Sequence, residues 1–207
     1  MSYVSPTLTI DFALFSFDED FDLNVLLIER KNEPFASVLA LPGGYVNQGE
    51  TTYQALNKKI KTKTNIDIEA LKYIEQLYTF DSVGRDPRGH AVSVCWYGLC
   101  QQDAVASLQG ENPRWIKIKD IKDLAFDHGE VINFALARLK DKIWYSNIVF
   151  AITPPKFKLE DLIIMYKNID EGAEEDVELY LMNNNVLKMN QDETYSVKIN
   201  QLTYYKK

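Results

Sequence analysis

Residues 39–66 read LALPGGYVNQGETTYQALNKKIKTKTNI, and the order of turns and periods in this stretch decides the fold. Leu39 to Val46 is short and apolar, and the Pro42-Gly43-Gly44 turn breaks it. In residues 51–64, Tyr53, Leu56 and Ile60 recur at helical spacing, which predicts a helix with one apolar stripe. Asn65 tolerates the left-handed conformation and is expected to stop that helix. The segment is therefore a short strand, a glycine-rich loop and a helix.

Upstream, Thr7 to Phe17 (TLTIDFALFSF) and Leu23 to Arg30 (LNVLLIER) are rich in β-formers and flank the polar turn DEDFD at 18–22, so they read as a hairpin. Downstream, Leu71 to Phe80 reads as a strand and Asp81 to Gly89 (DSVGRDPRG) as a loop. His90 to Gln101 and Arg114 to Ile118 read as further strands. Gly129 to Tyr145 changes to the helical period, with Val131, Phe134, Ala135, Leu139 and Ile143 as its stripe. After the Thr153-Pro154-Pro155 linker come helices over Leu159 to Ile169 and Ala173 to Val186. A hairpin follows over 187–205, with its turn at Asn190–Glu193.

Gly44 is followed by five residues and then Glu50. This resembles the Nudix box, G-x5-E-x7-R-E-U-x-E-E-x-G-U with U a bulky aliphatic, and Ile60 and Ile66 fill its two aliphatic positions. The other half departs from it. The arginine position is Lys58, the next glutamate is Lys59, the glutamate pair is Thr62-Lys63, and the glycine is Asn65. In the family the three helical glutamates share one face and hold a divalent metal that activates a phosphate ester and its attacking water. Two ammonium groups and a hydroxyl at those places repel such an ion, so the resemblance implies a site dead for pyrophosphohydrolysis, with no metal, cofactor or catalytic residue. Two readings of Lys59 and Lys63 stand: a solvated lysine-rich face, or fixed cations that grip a ligand's phosphates directly.

Residues 77–97, LYTFDSVGRDPRGHAVSVCWY, resemble a stretch of the Nudix-related transcriptional regulators called NrtR and their sugar-sensing relatives. Leu124-Ala125-Phe126-Asp127-His128 is similar to the stretch leading into their inter-domain helix. The resemblance implies an α+β chain: a mixed sheet with flanking helices over residues 1–150, then a small winged helix over 151–207. It also implies an ADP-ribose-like nucleotide or sugar-phosphate effector, DNA as partner, and a homodimer. By chemistry alone, Arg85 and Arg88 suit phosphate oxygens, the alternative being that Asp86 and Arg88 pair with each other or with Glu50 and simply hold the loop. Arg30 is a further candidate, so the expected ligand set is Arg30, Gly44, Glu50, Lys59, Lys63, Arg85 and Arg88. Tyr78 or Phe80 would either stack on a base or sit in the core. His90 and His128 are the only histidines, have no metal-ligand spacing, and are expected to be structural.

Composition sets the outer bounds. The 207 residues are 46% hydrophobic and 26% charged, which excludes a disordered chain. The net charge of −7 excludes a general polyanion binder, so nucleic-acid binding needs a local basic patch. Lys156, Lys158, Lys188 and Lys198 are the candidates for it, with Tyr204 beside them. Against them, Glu171 to Glu178 carries five acids and no base where a recognition helix meets phosphates, and residues from Ala151 onward hold seven lysines against ten acids. A ligand sensor acting through a protein partner is therefore the alternative to a DNA-binding one, with a hydrolase using unorthodox ligands as the third reading. The first residues lack the pattern of a signal peptide and no stretch is long and apolar enough for a membrane span, which predicts a cytoplasmic protein. Cys95 and Cys100, in one apolar run, are expected to be reduced core thiols.

Overall fold

A computed structural model describes residues 5–102, 108–173, 177–183 and 186–198. Its centre is β1 (Thr7–Phe17), which pairs antiparallel with β2 (Leu23–Glu29) and parallel with β6 (Ala91–Leu99). β2 pairs with β3 (Leu39–Ala40) and β7 (Arg114–Lys117), β1 also pairs with β4 (Gly43–Tyr45), and β5 (Tyr73–Phe80) lies beyond β6.

Both faces of β1 are buried, and the strand's period of two sorts them. Ile10, Phe12 and Leu14 pack with Leu56 and Ile60 of α1 (Thr52–Thr64). Ala13, Phe15 and Phe17 face the opposite way, into the cluster that contains Val131, Ala135 and Leu139 of α2 (His128–Ile143). Truncating a fully buried leucine such as Leu56 to alanine costs about 2–5 kcal/mol. Thr51 and Gln54 form a capping box at the start of α1, and Asn65 stops it at φ 65°, the left-handed end the sequence predicts. Cys95 and Cys100 are both buried.

The α2 cluster continues into the C-terminal residues. These comprise α3 (Leu159–Ile169), α4 (Val177–Asn183) and the antiparallel pair β8 (Leu187–Met189) and β9 (Tyr195–Val197), with Phe157 bridging to Tyr195. The second C-terminal helix is shorter than the expected Ala173 to Val186. Ala173 is a buried turn residue whose amide donates to Asp170, and Val186 already leads into β8, its carbonyl accepting from Lys198. Residues 199–205 of the expected hairpin lie outside the described residues. So do Glu174, Glu175 and Asp176 of the acidic window, and the side chain of Glu178. Phe134 departs from the core stripe expected of it. It is 38% exposed because α2 turns it toward Tyr78, whose ring stacks on it at 5.0 Å. Among the described residues no helix is long and apolar enough to cross a membrane.

Candidate functional site

The glycine-rich loop, the second half of α1, the 84–89 loop and the turn into α2 enclose a cavity of about 240 Å³. Six of the seven expected ligand residues line it: Arg30, Gly44, Lys59, Lys63, Arg85 and Arg88. Glu50 does not. Its Oε1 accepts from the backbone and side-chain nitrogens of Asn47, at 2.6 and 2.8 Å, so it closes its own loop. Tyr78 and Phe80 are also elsewhere, on the outer face with Phe134.

Close backbone approach makes the wall. A Cβ on Gly43 would lie 2.3 Å from the Ile10 carbonyl oxygen and 2.4 Å from Asp11 Oδ1, so only glycine lets β4 pass this near β1. Lys59 lays its stem over Gly44, where an added Cβ would be 3.3 Å from Lys59 Cδ.

The cations differ in what already holds them. Arg85, with a side chain 5% exposed, donates from Nε and Nη2 to both carboxylate oxygens of Asp127 at 2.8 and 2.7 Å, and its Nη2 lies 3.5 Å from Asp11 Oδ2. Burial alone would lower its pKa, but these carboxylates raise it. Arg88 is more open. It forks onto Asp86 at 2.6–3.2 Å, and its guanidinium lies 5.6 Å from the Tyr45 ring centre and 5.5 Å from that of Phe126. Arg30 stacks on the same Phe126 ring at 4.6 Å and donates to the carbonyls of Pro34 and Asn32. Burial, and then the neighbouring Arg88, lower its pKa. Lys63 pairs with Glu111 at 3.0 Å. Among the described residues, Arg30 and Lys59 have no carboxylate within ion-pair distance.

Several cavity residues lay outside the expected ligand set, Asp11, His128 and Phe126 among them. Asp11, in the middle of β1, accepts from Ser93 Oγ at 2.7 Å and lies 3.4 Å from His128 Nε2. Burial by itself would raise its pKa, but His128, Ser93 and Arg85 outweigh burial and hold it down at about 2. His128 accepts from the Leu41 amide at Nδ1, 2.9 Å, which places the proton of the neutral ring on Nε2, toward Asp11. Phe126 holds φ 57°, a left-handed conformation that strains a bulky residue, and its ring is the platform under Arg30. The LAFDH stretch was the available signal for the last two. Nothing local marked Asp11.

Of the lysines expected to meet DNA, Lys156 pairs with Asp192 at 3.0 Å and Lys158 precedes α3, its amide donating to Asp161. Lys188 is exposed on β8 and Lys198 is exposed just after β9.

This sheet, with a helix after a glycine-rich loop and a polar cavity at their junction, is the architecture of a Nudix domain. The chain belongs to the Nudix family, whose domain model matches residues 7–134. It is 36% identical over 182 residues, 83% of this chain and 71% of the relative, to an ADPR responsive transcriptional repressor NtrR of Acinetobacter baylyi. It is 33% identical over 131 residues, 63% of this chain and 73% of the relative, to an ADP-ribose pyrophosphatase of Methanocaldococcus jannaschii. The crystal structure of Shewanella oneidensis NrtR complexed with a 27mer DNA superposes with a TM-score of 0.75 at 28% identity, covering 97% of this chain and 93% of that one. The Nudix domain of the same protein complexed with ADP ribose gives a TM-score of 0.59 at 33% identity, over 66% of this chain and 90% of that one.

The residues present do not fit the divalent metal that an intact Nudix box implies. Lys59 and Lys63 line the cavity, Thr62 Oγ donates to the Lys58 carbonyl at 2.8 Å, and Glu50 is engaged by Asn47. A hard dication needs oxygen anions there and meets ammonium groups instead.

Proposed function

We propose that the protein is a metal-independent sensor of an ADP-ribose-like nucleotide or sugar phosphate, without hydrolase activity, and that it acts as a transcriptional regulator. The observation that carries this is the pair Lys59 and Lys63 on the cavity face of α1, where catalysis by the family requires carboxylates. With Arg30 and Arg88 they offer point charges and forks to phosphate oxygens. The enclosed volume is below the roughly 300–1,000 Å³ of drug-sized ligand pockets, so it suits the charged part of such a ligand, the remainder resting at the mouth by Tyr45. The likeness to regulators over nearly the whole chain supports the same reading. In it, the order α2, Phe157 bridge, α3, α4, β8–β9 is a winged helix on residues 151–207 that shares α2 with the Nudix-like residues 1–150, and the protein works as a homodimer.

Calorimetric titration with ADP-ribose in EDTA tests it. Micromolar binding is expected, weakened by salt because point charges carry it, and weakened about tenfold by Lys59→Ala, about 1.4 kcal/mol. Binding that requires Mg²⁺, or metal-dependent hydrolysis of ADP-ribose abolished by Glu50→Gln, would sink this reading in favour of a hydrolase.

A second reading, in which the output partner is a protein, is favoured by the five acids of Glu171 to Glu178. A sequence-specific electrophoretic shift with DNA from upstream of its own gene, at physiological salt, would remove it.

A further inference from the structure

Arg85 has two claims on it. It lines the cavity, and its guanidinium is the clamp on Asp127, the residue that precedes the first turn of α2. An aspartate at that position ordinarily turns its carboxylate onto the free amides of the first turn. Asp127 does not. It makes no side-chain capping bond, because both of its oxygens are committed to Arg85. Of the first-turn amides, His128 donates to the Ala125 carbonyl and Glu130 to that of Asp127 itself, which leaves the Gly129 amide for the carboxylate to cap, while an anion in the cavity competes for Arg85.

The far end of α2 is tied to the C-terminal helices. Trp144, just past its last turn, donates from Nε1 to Asp170 at 3.0 Å, and its ring lies 5.7 Å from Tyr166 of α3 and 5.4 Å from Tyr180 of α4. Lys140 pairs with the same Asp170 at 2.8 Å, and Tyr180 donates its hydroxyl to the Trp144 carbonyl. At that same far end, Arg138 and Lys142 hold Glu75 of β5 and pin α2 to the sheet. Over its 16 residues α2 spans about 24 Å. A change in its first turn therefore pivots α2 about the Glu75 pin, two residues from Trp144, and reaches α3 and α4 through the Trp144 contacts.

We propose that Asp127 is the switch through which cavity occupancy reaches the C-terminal helices. An anionic ligand draws Arg85 from Asp127, the freed carboxylate caps α2, and α2 shifts on its pin. The proposal deepens the sensor reading and rests on it. It makes Asp127 a competitor of the ligand, so removing its charge relieves the competition. A merely structural ion pair would act in the opposite direction, since breaking it would loosen the cavity.

The test uses the full chain labelled with fluorotryptophan, the Trp144 resonance assigned through Trp144→Phe, and ADP-ribose as probe. Addition of ADP-ribose to the wild type is expected to move the Trp144 resonance and to slow amide exchange in residues 128–131. Asp127→Asn, which keeps an oxygen able to cap but lacks the charge that clamps Arg85, is expected to bind ADP-ribose about fivefold more tightly. Its Trp144 resonance should already stand near the ligand-bound position before ligand is added. Asp127→Ser makes the same test should the asparagine variant not fold. Equal or weaker binding by a folded variant overturns the switch, and so does a wild-type Trp144 resonance that ignores bound ligand. If the wild type takes up no ADP-ribose at all, the sensor reading fails first and the switch with it.

Discussion

Two ion networks, one partly and one almost wholly buried, grip α2 at its two ends, and they differ in what surrounds them. At the last turn, Lys142 bonds Tyr73 and Glu75, Arg138 reaches the other Glu75 oxygen, and Tyr97 donates to Glu75 from the sheet. Burial alone would raise the pKa of Glu75, but Lys142, Tyr73 and Tyr97 together hold it below its usual value. At the first turn, Arg85 binds Asp127 and Asp11, and Asp11 binds Ser93 and His128. Both networks meet the cost of buried charge by surrounding each carboxylate with several partners. Only the second borders a cavity that also holds Arg30 and Lys59, cations with no acid of their own among the described residues. A closed network is a rivet; the same chemistry beside a cavity with cations to spare is a site.

Breaking the closed network gives the largest effect. Glu75→Ala leaves the Lys142 ammonium buried without its carboxylate and is expected to cost about 3 kcal/mol, or roughly 10 °C in Tm for a chain of this size. Ligand affinity should stay within about threefold. Chemical denaturation beside calorimetry separates the two, and a variant that keeps its stability but loses its ligand would reverse the assignment of rivet and site.

The open network has a smaller, pH-marked contribution. The carboxyl of Asp11 falls from 3.8 to about 2 on folding, so its contribution is present above pH 4 and is lost as pH falls toward 2. That shift amounts to about 2 kcal/mol. Denaturation midpoints from pH 6 to 2 should decline in the wild type and more shallowly in Asp11→Asn; parallel curves would show that Asp11 does not carry the slope.

The smallest effect on folding is expected from Arg88→Ala, since that side chain is 42% exposed and pairs with an acid two residues away. Stability should change by less than about 1 kcal/mol, while ADP-ribose binding weakens severalfold. Unchanged binding would leave Arg88 as a tie for its own loop.

Much of the chain was legible locally. The α1 boundaries follow from Thr51, Gln54 and Asn65, whose partners lie within four residues. β1, α3 and the turn between β8 and β9 are likewise written in periods and turn residues. The site was legible mainly where a motif spans it: the glycine-rich loop, the helix lysines and the RDPRG loop led to five cavity residues and to one, Glu50, that turns away, while the sixth, Arg30, came from the end of the second strand. Phe134 misled because periodicity gives a helical face but not whether a neighbour covers it.

By itself the sequence determined the elements, the Nudix family and the charge reversal at positions 59 and 63, because each depends on residue type at short spacing. Tertiary structure alone decided that Asp11, Arg85, Asp127 and His128 form one network. Their positions span more than a hundred residues. They meet because β1 pairs in parallel with β6, setting Ser93 beside Asp11, while α2 starts against the same end of the sheet. Which cation is clamped and which is left to a ligand depends on such long-range approach, and no local pattern encodes it.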